Sequence, residues 1–211
     1  GFAIGAYIGD GSKHLKGITY SLCNSEKDDE TELRLVNFWK RIGFDCTVTL
    51  SERNVRFVNV NGHSYDIVKK YVDGDNALTK KLTDDVFNSS IEFKQGLLEG
   101  FVATDGSRSK KRLYTSSNDL RQDMAYLLSS IGRKYLINYK DNRENRLGTN
   151  TNYRIDYPER GNYGELYKED DNYHYYKIVK IEEVNYTGDY LYCFEVDNKD
   201  HLFMLANGLI T

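Results

Sequence analysis

The residue pattern predicts an α+β chain made of two similar halves in tandem, followed by a short β-rich tail. The first observation behind this is a repeated phrase. Gly1-Phe2-Ala3-Ile4-Gly5-Ala6-Tyr7-Ile8-Gly9-Asp10-Gly11-Ser12 is echoed by Gly96-Leu97-Leu98-Glu99-Gly100-Phe101-Val102-Ala103-Thr104-Asp105-Gly106-Ser107, and Asp10 and Asp105 stand 95 residues apart. That spacing is about one small domain of chain. The second is that the flanks match too. Each copy leads into a strand (17–22 and 112–116) and then a helix (26–42 and 118–131) closed by Gly43 or Gly132. The third is the tail, where strand-like alternation surrounds the turn Tyr186-Thr187-Gly188-Asp189.

Both copies of the phrase are apolar runs of helical length with a small residue at every fourth position: Gly1, Gly5 and Gly9, then Gly96, Gly100 and Thr104. Residues four apart share a helix face, and a face of small side chains lets two backbones approach closely. Glycine costs a helix about 1 kcal/mol relative to alanine. Three on one face therefore need a compensating contact, which close packing of the two helices supplies. Side by side, the helices bring Asp10 and Asp105 out together at their ends. Two adjacent carboxylates repel unless a cation lies between them, so the pattern points to a paired-aspartate metal site on a pseudo-twofold axis.

Between the repeats, Leu33, Val36, Trp39 and Ile42 recur at helical spacing over 26–42, a helix backing a sheet with Trp39 in the core. Residues 46–50 and 55–60 alternate around a short polar turn and read as a hairpin. Its outward set, with Thr47, Thr49 and Arg56 among the candidates, would present hydroxyl and guanidinium groups on one face. A shorter helix follows over 65–71. In the second half, 135–139 and 153–157 read as strands around the polar loop 140–152, and Pro158, the single proline, marks a boundary.

The repeated phrase with its flanks resembles the LAGLIDADG homing endonucleases, in the form with two motifs on one chain, over roughly residues 1 to 160. The resemblance implies two αββαββα halves, 1–90 and 91–160, with the motif helices as their interface and antiparallel strands forming a saddle for double-stranded DNA. It implies that the last acid of each motif binds divalent metal. The metal site is therefore expected at Asp10 and Asp105, with Gly9 and Thr104 beside them and Mg²⁺ (or Mn²⁺) as the ion. In inteins of this family a Lys-x-aliphatic-Pro phrase supplies an active-site lysine. Lys80-Lys81-Leu82-Thr83 matches it with threonine in place of proline, which makes Lys80 the choice and Lys81 the alternate. The second lysine is assigned to Lys168, with Arg160 or Lys177 as substitutes. Basic side chains expected on DNA are Arg56, Arg108, Lys110, Lys111, Arg112, Arg133, Arg143 and Arg146.

Residues 161–174 are acidic and tyrosine-rich and read as a linker. The stretch 175–211, with a strand over 176–184, a second over 191–196, His201-Leu202-Phe203 and Ala206-Asn207-Gly208, resembles the C-terminal splicing (Hint) segment of an intein. By that resemblance Cys193, His201, Asn207 and Thr211 belong to the splicing chemistry. The terminal His-Asn and the N-terminal splicing half are not in the sequence, so an N-terminal intein segment is expected as partner. Cys193 stands where most inteins carry Asp. This resembles the inteins that branch through an internal cysteine, whose thiolate is a competent acyl acceptor. The other reading makes Cys193 a small buried residue.

Composition bounds the rest. Hydrophobic residues make up 39% of the chain with no membrane-spanning run, so no membrane partner is expected. Three widely spaced cysteines (Cys23, Cys46, Cys193) argue against a disulfide framework and for a reducing, cytoplasmic setting. The chain lacks a starting Met and a signal peptide and reads as a fragment or a processed piece, acting as a monomer. The net charge of −3 runs against nucleic-acid binding, yet the acids concentrate at 26–32, 73–75, 84–85 and 165–171. Two rivals stay open: a non-cleaving DNA- or RNA-binding maturase on the same fold, and a splicing fragment whose endonuclease has decayed.

Overall fold

The computed structural model describes residues 1–140, 152–157, 167–169 and 174–176, with isolated positions between 181 and 199. The first repeat forms helix α1 (Phe2–Asp10). It is followed by β1 (Gly11–His14), β2 (Gly17–Cys23), α2 (Glu26–Arg41), β3 (Cys46–Leu50), β4 (Val55–Asn61) and α3 (Ser64–Val68). A two-stranded ribbon, β5 (Val72–Asp73) with β6 (Lys81–Leu82), and the single turn α4 (Asp84–Phe87) lead into the second repeat. That repeat is α5 (Ile91–Asp105), followed by β7 (Gly106–Ser107), β8 (Arg112–Thr115), α6 (Asn118–Ser130), β9 (Leu136–Lys140) and β10 (Asn152–Asp156). Both four-stranded sheets are antiparallel with their strands in the spatial order first, second, fourth, third. The duplication read from the sequence is therefore a duplication of topology. Two further strands, β11 (Tyr167–Glu169) and β12 (His174–Tyr176), pair with each other, and β11 falls inside the stretch read as a linker.

Local chemistry sets the helix ends. Three acids, Glu26, Asp28 and Asp29, stand in the first turn of α2 and Lys40 and Arg41 in its last, matching the helix dipole at both ends. The hydroxyls of Ser90 and Ser117 accept from Phe93 N and Leu120 N and so cap α5 and α6. Each repeat helix ends at a glycine with extended backbone, Gly11 and Gly106. The Asp-Gly-Ser phrase is thus a direct passage into β1 or β7 rather than a plain stop. Both strands are too short for alternation to reveal. The helix expected over 65–71 is shorter, Ser64–Val68, and begins where Ser64 Oγ donates to Val60 O at 2.8 Å.

The core sits on the inner faces of the two sheets and around α1 and α5. Trp39 and Tyr20, both fully buried, tie three layers together. Trp39 Nε1 donates to Tyr20 Oη at 3.0 Å, and Tyr20 Oη donates to Ala3 O at 3.1 Å. The indole of α2 is thereby linked through β2 to the backbone of α1, and Trp39 is core as expected.

The α1–α5 contact is made by backbone. A Cβ placed on Gly5 would overlap Leu97 O, one on Gly100 would overlap Phe2 O, and one on Gly1 would overlap Phe93 O. Gly9 lies against the Thr104 side chain in the same manner. A Cβ on Gly96 would meet its nearest neighbour, Phe2 N, at 3.3 Å, a crowded but tolerable distance. Gly5→Ala is expected to destabilise the fold by about 3 kcal/mol through overpacking. Gly96→Ala should come out near neutral, its crowding offset by roughly 1 kcal/mol of helix propensity; urea unfolding of the two variants measures the difference.

Candidate active site at the paired helix ends

Because α1 and α5 touch through glycine, their last residues, Asp10 and Asp105, emerge beside one another. Asp10 is half-buried, while Asp105 stays open to solvent on the cleft side. Burial, then the charges of Asp105 and Asp28, push the Asp10 carboxyl up to about 6, against the pull of Lys80 and Lys27. The Asp105 carboxyl is also raised, by the partial desolvation of its place in the cleft even though the residue as a whole reaches solvent, with Lys80 opposing. A cleft of about 140 Å³ opens at this point, lined by Gly9, Lys80 and Asp105 and, from the second sheet, by Tyr114 and Asn152.

Lys80 completes the site from behind. It is only 4% exposed, and its ammonium donates to Tyr7 O, Ile8 O and Gly11 O at 2.8, 2.9 and 2.8 Å. These carbonyls belong to the last turn of α1 and its exit, where no intrahelical donors remain and the dipole is negative. Burial draws the Lys80 ammonium down to about 8, with Asp105 and Asp10 holding it up. The lysine expected in the active site thus turns its ammonium to the helix end. All three N–H groups are engaged on backbone, so Lys80 fixes the helix end and offsets the acids at short range. Lys81, the alternate, is exposed and pairs with Asp73 at 3.3 Å. Lys80 is placed by the second half, since Ser117 Oγ donates to Lys80 O and Leu82 N donates to Asp123 Oδ2, both at 2.7 Å. Thr83, standing where the resemblance expects proline, donates from Oγ1 to Lys70 O at 2.6 Å.

The donor set suits a hard divalent cation. Two carboxylates converge without a third acid, and among the described residues no group of three or more His, Cys, Asp or Glu forms a closed cage. Mg²⁺ keeps several waters and takes only one or two protein carboxylates in phosphate-handling sites. Gly9 and Thr104, expected in the metal site, lie one residue back against each other. The Thr104 hydroxyl donates within its own helix to Phe101 O at 3.1 Å, so the contact of the Thr104 side chain with the bare backbone at Gly9 sets the helix spacing here.

The basic candidates separate. Arg56 is not on the outward face. Thr47 and Thr49 pair with Asn59 and Phe57, whereas Arg56 pairs with Leu50 and so points to the α2 side. There it meets Asp29 at 2.7 Å and Glu32 at 2.9 Å. The outward face carries the expected Thr49 in a polar row whose other members, Thr19 and Asn59, the sequence does not mark: Thr19 Oγ1 donates to Asn59 Oδ1 at 2.8 Å, and Asn59 Nδ2 to Thr49 Oγ1 at 3.4 Å. Arg108 is exposed beside Glu30 at 3.4 Å. Lys110 and Arg133 are exposed, and Lys111 sits in a turn at φ 48°. Arg112 is bonded to the carboxylate of Asp156. Lys168 lies in β11 opposite Tyr175, and its side chain is outside the described residues. Arg143, Arg146, Arg160, Lys177, Cys193, His201, Asn207 and Thr211 lie outside them as well.

Asp10 gives a pH test. Its pKa is 3.8 in the unfolded chain and about 6 in the fold, so the folded state holds the proton more tightly and the charged form opposes folding. That opposition is absent below the unfolded value and fully present above about pH 6. Asp10→Asn should therefore raise stability at pH 7.5 by on the order of 2 kcal/mol, with the gain fading toward pH 4. Urea unfolding across this range is the measurement.

Residues 92–180 match the family model described as LAGLIDADG-like domain. Among curated proteins, a DNA polymerase of Acanthamoeba polyphaga mimivirus is 26% identical over 215 residues, covering 92% of this chain. The chain spans only 11% of that polymerase. Among solved structures, mesophilic variants of the homing endonuclease I-DmoI align at 12% identity with a TM-score of 0.51, over 74% of this chain and 86% of that one. I-DmoI in complex with DNA and Ca aligns with the same identity and TM-score over 74% and 81%. No helix among the described residues is long and apolar enough to cross a membrane. With the repeated motif, the duplicated sheets and the paired helix ends in place, the chain has a fold similar to that of I-DmoI, and its residues 92–180 are similar to a LAGLIDADG-like domain.

Proposed function

We propose that this chain is the site-specific DNA endonuclease of an intein, cutting both strands of a long, partly degenerate duplex with the help of divalent metal. The observation that carries the reading is the meeting of Asp10 and Asp105 at the ends of two backbone-packed helices, close enough for the Asp105 charge to raise the Asp10 carboxyl. These two carboxylates would hold Mg²⁺ or Mn²⁺. When bound, the ion supplies Lewis-acid stabilisation of the charge that builds on the attacked phosphate and on its leaving oxygen. Asp10 and Asp105 orient the scissile groups, and Lys80 keeps the end of α1 fixed while offsetting part of the acids' charge. Arg108, Lys110 and Lys111 sit in the turn after β7 and set the register on phosphates. Both halves lie on one chain, so a monomer suffices. A homing endonuclease of the same fold has been solved with DNA and Ca, which supports duplex DNA and a divalent ion as partners.

The intein part rests on the tail 175–211 and on the relative. The chain matches one stretch of a much longer DNA polymerase, as expected for an insertion within a host enzyme that is removed by splicing. An N-terminal segment would complete the β-fold around Cys193, His201, Asn207 and Thr211, and the endonuclease would work wherever the host DNA lies.

Cleavage selection from a randomised duplex library tests the nuclease. The wild-type chain with Mg²⁺ or Mn²⁺ is expected to return a preferred sequence cut on both strands. Asp10→Asn and Asp105→Asn should each reduce double-strand cleavage at least a hundredfold while still binding the selected duplex. Mg²⁺ should raise the melting temperature of the wild-type chain and have a much smaller effect on the double variant. Unchanged cleavage by both single variants would exclude the aspartate pair.

A further inference from the structure

The second sheet carries an arrangement that the aspartate pair does not use. Its register sets Arg112 opposite Asp156 and Tyr114 opposite Arg154. Alternation along β10 places Asn152 on the same face as Arg154 and Asp156. Leu113 and Ile155, on the other face, are fully buried in the core. Tyr114 and Asn152 also line the cleft that holds Asp105 and Lys80, so this polar face runs continuously into the acid site.

On that face Asp156 is only 6% exposed, a position carboxylates take when they are paired. Its Oδ1 accepts from Arg112 Nε and its Oδ2 accepts from Arg154 Nε at 3.0 Å. One carboxylate thus aligns two guanidinium planes, each by the inner nitrogen. The Arg154 side chain remains 40% exposed, and no hydrogen bond joins its terminal nitrogens to another described residue. A guanidinium held at Nε with its two outer nitrogens presented forward matches the O6 and N7 acceptors that guanine shows in the major groove.

We infer that Asp156 is a positioning residue that locks Arg154 as a guanine reader on the face leading to the cleft. The inference rests on duplex DNA being the ligand, as proposed above. It makes an outcome that simple electrostatics does not. Removing an acid from a DNA-facing surface strengthens sequence-independent attraction to phosphates, whereas releasing the Arg154 plane weakens discrimination among bases.

The full chain is equilibrated with a pool of random-sequence duplexes in EDTA, and the bound fraction is sequenced. The wild-type chain is expected to enrich a consensus with a fixed guanine. Arg154→Lys keeps the charge at an exposed position and should lose that guanine preference about tenfold or more, with the other positions unchanged. Asp156→Asn should lose the same preference while binding an unselected duplex as tightly as wild type or more so. Arg154→Lys still reports if Asp156→Asn fails to fold. Retention of the guanine by Arg154→Lys, or a uniform loss of affinity with an unchanged consensus, overturns the assignment. If the wild-type chain enriches no sequence at all, the duplex reading fails and this inference falls with it.

Discussion

The contact between α1 and α5 is the constraint on which the rest of the structure depends. Its chemistry is negative: no side chain stands between the two backbones at Gly1, Gly5 and Gly100. Any Cβ there would push the helices apart, and the residues at their tips would part with them. Glycine is a poor helix former, so the arrangement holds only because each helix supplies the surface that the other lacks. The sheets hang from this axis in matching order, and the C-terminal ends of both helices open into the same space.

That geometry creates an electrostatic problem at the helix tips. Two carboxylates stand at the negative ends of two dipoles, with Asp28 from the next helix adding a third charge that acts on Asp10. The fold answers with one buried ammonium. Lys80 reaches the last carbonyls of α1, its own carbonyl accepts from Ser117 at the cap of α6, and Leu82, two residues on, donates to Asp123 of α6. The charge balance of the first half's tip is therefore set by a segment that the second half holds. A disturbance at the start of α6 would reach the end of α1 through two hydrogen-bonded steps, Ser117 to Lys80 and Lys80 to the α1 carbonyls, without touching either acid. The Asp10 proton equilibrium remains displaced even so, a shift of the kind that gathers at functional sites.

Much of this was legible in the sequence because it depends on spacing. Glycines four apart, acids 95 residues apart and matching flanks survive as patterns whatever the tertiary detail, and they located α1, α5, Asp10, Asp105 and the two-half plan. What was not legible depends on register and direction. Thr49 and Arg56 each lie on an alternating strand, yet only the pairing of Thr49 with Phe57 shows that Arg56 belongs to the other face. Lys80 was found by resemblance, but whether its nitrogen faces a ligand or a helix end is a matter of side-chain direction. Thr19, Asn59, Tyr114 and Asn152 are ordinary strand residues, and nothing in their local sequence marks them. They gain meaning only when separate strands bring them to one surface.

The net charge of −3 is where sequence arithmetic and surface chemistry part most clearly. An acidic total suggests a chain that phosphate backbones repel. In the fold, many of the acids are engaged with cations. Asp29 and Glu32 hold Arg56, Glu30 meets Arg34 and Arg108, and Glu99 takes both terminal nitrogens of Arg34. Exposed pairs of this kind add little stability, so their number does not explain the fold. Their effect is directional: each fixes the plane of a guanidinium that would otherwise sweep through solvent. Base recognition depends on planes and distances, while attraction to phosphate depends mainly on charge. An acidic total can therefore coexist with arginines held in fixed planes, because what each acid removes from the total charge it returns as orientation.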